Sequence, residues 1–298
     1  MHNHIVEKDT KHTIVTIVVA IVIVVVVFLG ISAASGSSMP QTTVVESESM
    51  QHGVGSHIGI IDTADMIILK NVNNTTIQTY VDGYKSGYQT FGGFGNVIVY
   101  SRGVDLNPVI HRAILWLNYN GDGTWSAPSL QGYPLDRWSD TISGERVNDY
   151  NSLSGTLILN GMGYHGNIAA SIDLDRLATV FPHSGYITMG DNNTVFDQPS
   201  NIAGVSGLVA KEQVKSVAWI EIPWIGVFRM MMSGNMDIVN EQVPNTVPSL
   251  VAVIIMIIFL LTGIGFLFDH RYYRKYRKEL SKEMNAPTPL LPVESKNK

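Results

Sequence analysis

Two apolar runs bracket this chain and constrain its fold more than any other feature. Ile14 to Ile31 is mostly Val and Ile, and Val247 to Phe268 forms the second run, with Pro248 in its first turn. Proline is well tolerated there, because the first N–H groups of a helix have no partner inside it. Each run is long enough for a helix to cross the ~30 Å hydrocarbon core of a bilayer. Arg271, Arg274, Lys275, Arg277 and Lys278 follow the second run, and Lys8 and Lys11 precede the first. Basic residues flanking a span favour the cytoplasmic side. The expected organisation is a cytoplasmic tail at 1–13, a transmembrane helix at 14–31 and an external domain at 32–246. A second transmembrane helix at 247–268 and a basic cytoplasmic tail at 269–298 complete it. Ser32-Ala33-Ala34 also suits a signal-peptide cleavage site. The first run exceeds the usual ~7–15 residues of a signal h-region, so a retained anchor is the preferred reading.

The charge is split in the same way. From Ser32 to Val247 there are 19 acidic and 10 basic residues, against 6 acidic and 10 basic in the rest of the chain. An acidic middle argues against a nucleic-acid partner. The chain has no cysteine. That excludes disulfides, thiolate zinc sites and cysteine nucleophiles, so any nucleophile is a hydroxyl.

The external region reads as mainly β. Short β-branched runs separated by Gly, Asn and Asp predict strands at Met66–Leu69, Thr76–Val81, Val97–Tyr100, Val109–Leu117, Tyr186–Met189 and Val214–Ile222. Val44-Val45 predicts a further strand leading to Ser49 and a turn at Gln51-His52-Gly53. Ile172–Val180 predicts one short helix, with Ser171 or Asp173 as its cap. Residues 119–181 are rich in Asn, Gly, Ser and Tyr and are expected to form an insertion with small strands such as Thr156–Leu159. Ala286–Lys298, with three prolines, reads as disordered. Trp219, Trp224, Phe228 and Met230–Met232 are expected either in the core or as an apolar skirt resting on lipid.

Asn118-Tyr119-Asn120-Gly121-Asp122 resembles the opening of a calcium loop, but Ser129 stands where a bidentate glutamate is needed. A tight turn between strands is expected instead. No metal site and no cofactor are expected, since no histidine pair in the external region has the spacing of one helix face. Asn73-Asn74-Thr75-Thr76 and Asn192-Asn193-Thr194 contain glycosylation sequons.

Four stretches combine into a chemical set: Ser47-Glu48-Ser49-Met50, Ala64-Asp65-Met66, His111-Arg112 and Gly190-Asp191-Asn192-Asn193 with Asp197 downstream. A hydroxyl, an imidazole and a carboxylate near strand ends suit base-assisted attack on a carbonyl. Residue types alone do not separate His111 from His165 or His183. In this order the stretches resemble the boxes of type I signal peptidases in their archaeal and endoplasmic-reticulum form. Val217 to Gly226 is similar to a late Ile-Pro-aromatic-Ile-Gly strand of that family. The likeness runs from about Ser32 to Val227, outside the insertion.

The resemblance implies an antiparallel β-sheet catalytic domain outside the membrane. It implies Ser49 as nucleophile and His111 as general base, in place of the lysine of the bacterial branch. Asp191 and Asp197 compete for the carboxylate that orients His111. The implied activity is removal of signal peptides from secretory preproteins after small residues of the Ala-x-Ala type. Implied partners are those preproteins, the lipid bilayer and the translocation machinery. The chain departs from the family pattern at Glu48 and Ala64, where glycine is common, and at Gln51-His52. Ser35-Gly36-Ser37-Ser38-Met39 also resembles the nucleophile motif, but no strand leads into Ser38. A doubly anchored β-rich binding protein and an inactive homologue are the alternatives to an enzyme.

Overall fold

The computed structural model describes residues 2–103, 106–142, 145–198 and 207–284. The chain divides into two compact units, 1–247 and 248–298. Helix α1 (His2–Ser35) includes the apolar stretch Ile17–Ser35. The expected tail at 1–13 therefore continues the helix from His2. The helix at the other end spans Thr246–Met284, and Thr246–Gly263 within it is long and apolar enough to cross a membrane. The expected disorder at 286–298 lies outside the described residues.

Between these helices the polypeptide is mainly antiparallel sheet. The strands are β1 (Gln41–Val44), β2 (Met66–Asn71), β3 (Gln89–Thr90), β4 (Gly93–Phe94), β5 (Val97–Tyr100), β6 (Val109–Tyr119) and β7 (Trp125–Ser126). They continue with β8 (Trp138–Ile142), β9 (Glu145–Arg146), β10 (Thr156–Met162), β11 (Ile168–Asp173), β12 (Gly185–Met189) and β13 (Val214–Ile222). The main sheet has the order β1-β2-β13-β5-β6-β12, with β7 paired to β6. The expected strands at Met66, Val97, Val109, Tyr186 and Val214 are all present in it. The Asn118–Asp122 segment lies at the β6–β7 turn, where Asn118 pairs with Ser126 and Asp122 accepts from Thr124.

One expected strand is absent. Residues 76–79 are irregular and Tyr80–Ser86 is helix α2. The cause is a capping box: Thr79 accepts from the Asp82 N–H while Asp82 accepts from the Thr79 N–H. Two satisfied backbone donors outweigh the weak β preference of the Thr-Ile-Gln-Thr run. The expected helix at 172–180 is shortened for a similar reason. Strand β11 continues to Asp173, whose carboxylate accepts from the Arg176 N–H and starts helix α3 (Leu174–Val180).

The insertion forms a second sheet of order β11-β10-β8-β9. It packs on the main sheet: Leu157, Leu159 and Ile172 share a buried cluster with Leu115, Leu117, Ile187 and Met189. The Trp125 indole N–H, donated to the Leu174 carbonyl at 3.1 Å, fastens the two. After β13 come α4 (Val227–Met232) and α5 (Met236–Gln242). Here the possible skirt divides. Trp224 and Met230 are buried, whereas Phe228, Met231 and Met232 are exposed.

Candidate active site

The site begins where β1 ends. Its ladder with β2 extends through Val45 N–H to the Asp65 carbonyl and Ala64 N–H to the Val45 carbonyl. The chain then leaves the sheet and closes one tight helical turn at Glu48–Met50, with Met50 buried beneath it. Ser49 is thus presented from a turn five residues beyond the strand.

His111 and Arg112 are neighbours on β6, a strand in which successive side chains point to opposite faces. They cannot share one carboxylate, and the two aspartates divide accordingly. His111 Nε2 lies 2.9 Å from Ser49 Oγ, and His111 Nδ1 lies 2.7 Å from Asp197 Oδ2. The same Asp197 oxygen accepts from the Tyr100 hydroxyl and the Thr188 hydroxyl, each at 2.7 Å. Asp191 instead accepts from Arg112 Nε at 2.7 Å and Nη2 at 2.6 Å, and pairs with His52 Nε2 at 3.0 Å. The choice between Asp191 and Asp197 that the sequence leaves open goes to Asp197. Asp191 stands apart from His111 and neutralises Arg112.

Both carboxylates are held below the usual range. Burial acts to raise Asp197, but the His111 charge and the bonds from His111, Thr188 and Tyr100 outweigh it. Burial likewise acts on Asp191 and is outweighed by the charge and bonds of Arg112 and by His52. Burial and the adjacent Asp197 push the Tyr100 phenol up, so it stays protonated and remains a donor.

The Gly190-Asp191-Asn192 box also carries the Ser49 turn. Asn192 donates its N–H to the Ser49 carbonyl at 2.9 Å and its side-chain amide to the Glu48 carbonyl at 3.2 Å. A Cβ at Gly190 would meet the Ser49 carbonyl oxygen at 2.4 Å, so only glycine permits this approach. The sequon at Asn192 is therefore engaged in the site. Ser47 Oγ lies 3.2 Å from Ser49 Oγ. Ser38 is exposed in the loop between α1 and β1.

Sequence reasoning assigns no role to His52, Tyr100 or Thr188. Gln51 and His52 have partners within the chain. The Gln51 amide donates to the Gly53 and Gln242 carbonyls and its oxygen accepts from Thr63. The His52 ring stacks on Tyr164 of the insertion, with centroids 5.0 Å apart. Ala64 has φ +69°. That left-handed conformation strains an alanine by ~1–2 kcal/mol and a glycine hardly at all.

Asp65 lies at the same corner, accepting from the Asp62 N–H at 2.8 Å and the Trp224 N–H at 2.9 Å. Burial, helped by the charges of Glu221 and Asp62, pushes it up to about 8. Burial and Asp62 push Glu221 up to about 7, and burial raises Asp62 as well. A carboxyl with a raised folded-state value binds its proton more tightly when folded. Its stabilisation is complete below the unfolded value and is lost as pH rises through the folded one. Asp191 and Asp197 act oppositely, losing stabilisation as pH falls below the ordinary carboxylate range. The expected result is a Tm that falls between about pH 5 and pH 8, and falls again in strong acid. Glu221→Gln keeps an acceptor for the Gly59 N–H and should flatten the upper part of that slope. Thermal unfolding of the full chain in detergent across this range checks it, and a Tm rising from pH 5 to pH 8 contradicts it.

Among the described residues no group of three or more His, Asp or Glu is arranged to hold a metal ion. No protein-family model matches the chain, and no curated protein matches it.

Proposed function

We propose that this protein is a membrane-anchored serine endopeptidase of the type I signal peptidase kind, removing N-terminal signal peptides from secretory preproteins after small residues. The observation that carries the proposal is the relay of Ser49 Oγ, His111 Nε2, His111 Nδ1 and Asp197 Oδ2, with bonds of 2.9 and 2.7 Å. These residues come from three distant stretches, and a hydroxyl, a base and an orienting carboxylate in series are the parts of acyl transfer.

In the proposed reaction His111 takes the Ser49 proton as Oγ attacks the scissile carbonyl. Asp197 holds Nδ1 protonated, keeps Nε2 as the acceptor and stabilises the imidazolium. The carbonyl oxygen becomes an oxyanion beside the opening N–H groups of the 48–50 turn, which have no acceptor within it. The Ser47 hydroxyl is close enough to add a second donor. His111 then protonates the departing amine, leaving the signal peptide as an acyl ester on Ser49. Water, deprotonated by the same imidazole, hydrolyses that ester and restores the serine.

The two apolar helices support anchoring at both ends of the domain. The basic residues after the second favour cytoplasmic termini and a catalytic domain outside the cell membrane. A substrate whose apolar segment lies in the bilayer would present its cleavage site near Ser49, on leaving the translocation machinery. The exposed Phe228, Met231 and Met232 suit contact with that lipid surface.

The test is cleavage of a preprotein by the purified full chain in detergent, beside Ser49→Ala, His111→Ala and Ser38→Ala. Ser49→Ala and His111→Ala are each expected to lower turnover by at least about a thousandfold, whereas Ser38→Ala should leave it unchanged. Activity that survives Ser49→Ala but not Ser38→Ala moves the nucleophile to the first motif. A folded wild-type chain that cleaves nothing favours a binding protein or an inactive homologue.

A further inference from the structure

Between the main sheet and the insertion lies a cavity of about 200 Å3. Arg112, Gly190 and Asp191 are in its wall from the main-sheet side, and Arg137, Gly161 and Tyr164 from the insertion. Pockets for cofactors and drug-sized ligands begin near ~300 Å3, so this volume suits a single side chain. It starts beside the nucleophile, because Gly190 backs onto the Ser49 carbonyl. Gly190 is the link between the two: an extended peptide advances ~3.3 Å per residue, so one that passes from Ser49 around the Gly190 end of β12 would bring a side chain here within a few residues of the scissile bond.

The charges in this wall differ from those of the domain around it. They comprise two guanidinium groups and one carboxylate, in a region that is otherwise strongly acidic. Arg112 is fully engaged by Asp191 and by the carbonyls of Gly93, Phe94 and Gly95. Arg137 is different. Among the described residues the ion pairs join His52, His111, Arg112 and Arg229 to carboxylates, and none involves Arg137. Its guanidinium lies over the Tyr84 ring, 4.5 Å from the centroid. Its other near neighbours are the Tyr80 and Tyr133 phenols, both pushed up by burial and therefore neutral. Gly161, at φ +77°, makes room for it, since a Cβ there would meet Arg137 Nη1 at 2.6 Å. The cation is thus held among neutral rings, and a guanidinium on an aromatic face keeps in-plane N–H donors for a carboxylate.

We infer that this cavity is a substrate subsite for an aspartate or glutamate side chain, with Arg137 as its counter-ion. The inference rests on the proteolytic reading of Ser49. The insertion then contributes specificity beyond the small residues at the cleavage site, by making one nearby acidic residue favourable.

The experiment uses the full chain in detergent and a cleavable preprotein peptide in which Asp, Asn or Lys is placed in turn at each position flanking the cut. The wild-type chain is expected to favour Asp over Asn at one position by about tenfold in kcat/KM, the scale of a charge-assisted bond. Arg137→Gln should remove that ratio, Arg137→Lys should restore part of it, and Arg137→Glu should turn it toward Lys. A flat preference at every position overturns the inference, as does a preference unchanged in Arg137→Gln. A second arm measures binding of fluorescent Asp and Asn peptides to Ser49→Ala, with and without Arg137→Gln. An Arg137-dependent binding preference without cleavage by the wild-type chain supports the subsite while the proteolytic reading fails. Cleavage without any preference does the reverse, and absence of both binding and cleavage overturns the subsite.

Discussion

Asp197→Asn is expected to lower kcat by about ten-thousandfold while leaving the protein folded. An asparagine NH2 in the place of Asp197 Oδ2, which His111, Tyr100 and Thr188 all meet, donates to His111 Nδ1 and to one of the two hydroxyls, which can accept as well as donate. What it loses is the negative charge and the second lone-pair-bearing oxygen. An amide NH2 turned toward His111 makes Nδ1 the acceptor and moves the imidazole proton to Nε2. In that tautomer the ring cannot take the Ser49 proton, and no charge stabilises the imidazolium. Single-turnover cleavage gives the rate, and thermal unfolding of the same preparation checks the fold. A loss of less than tenfold in a folded variant would remove Asp197 from the relay.

Asp191→Ala is expected to act on stability first. It leaves the Arg112 guanidinium, 1% exposed, without its counter-charge. Removing one partner of a buried pair costs ~3–5 kcal/mol. The remaining carbonyl partners of Arg112 keep that figure from rising further. The same change releases His52 and loosens the segment whose Asn192 N–H bonds the Ser49 carbonyl, so activity falls with stability. Denaturant unfolding of the full chain in detergent measures it. A variant as stable as the wild type, but slow in turnover, would reverse the roles of the two aspartates. The pair of substitutions therefore separates charge support of the base from charge support of the fold.

Much of the framework is legible in the residues. β-branched runs between turn formers mark β2, β5, β6, β12 and β13, because a pleated half-buried surface selects those side chains. The insertion is visible as a change in composition. The Thr76–Val81 run misleads, because a capping box at Thr79 and Asp82 competes with β preference and is easily missed beside it. Asp173, by contrast, is readable as a cap. The apolar residues before the second long helix resist sorting into core and surface, since Met230, Met231 and Met232 are the same residue type yet only Met230 is buried.

The site divides along similar lines. Residue types suggest a hydroxyl, an imidazole and a carboxylate, and the resemblance of the ordered stretches to signal peptidase boxes nominates Ser49, His111, Asp191 and Asp197. Strand alternation alone requires His111 and Arg112 to face opposite ways. The sequence by itself determined the candidate groups and left Asp191 and Asp197 in competition for one role. Only the tertiary structure decided which aspartate serves which face. That depends on how the six residues after Asp191 return, where the Asp197 N–H meets the Thr188 carbonyl at 2.9 Å and brings its carboxylate to His111, Tyr100 and Thr188. The partners of His52, the strain at Ala64 and the cavity beside Arg137 also lie beyond sequence reading. Each arises from contacts between segments far apart in the chain, and local pattern carries no record of such distances.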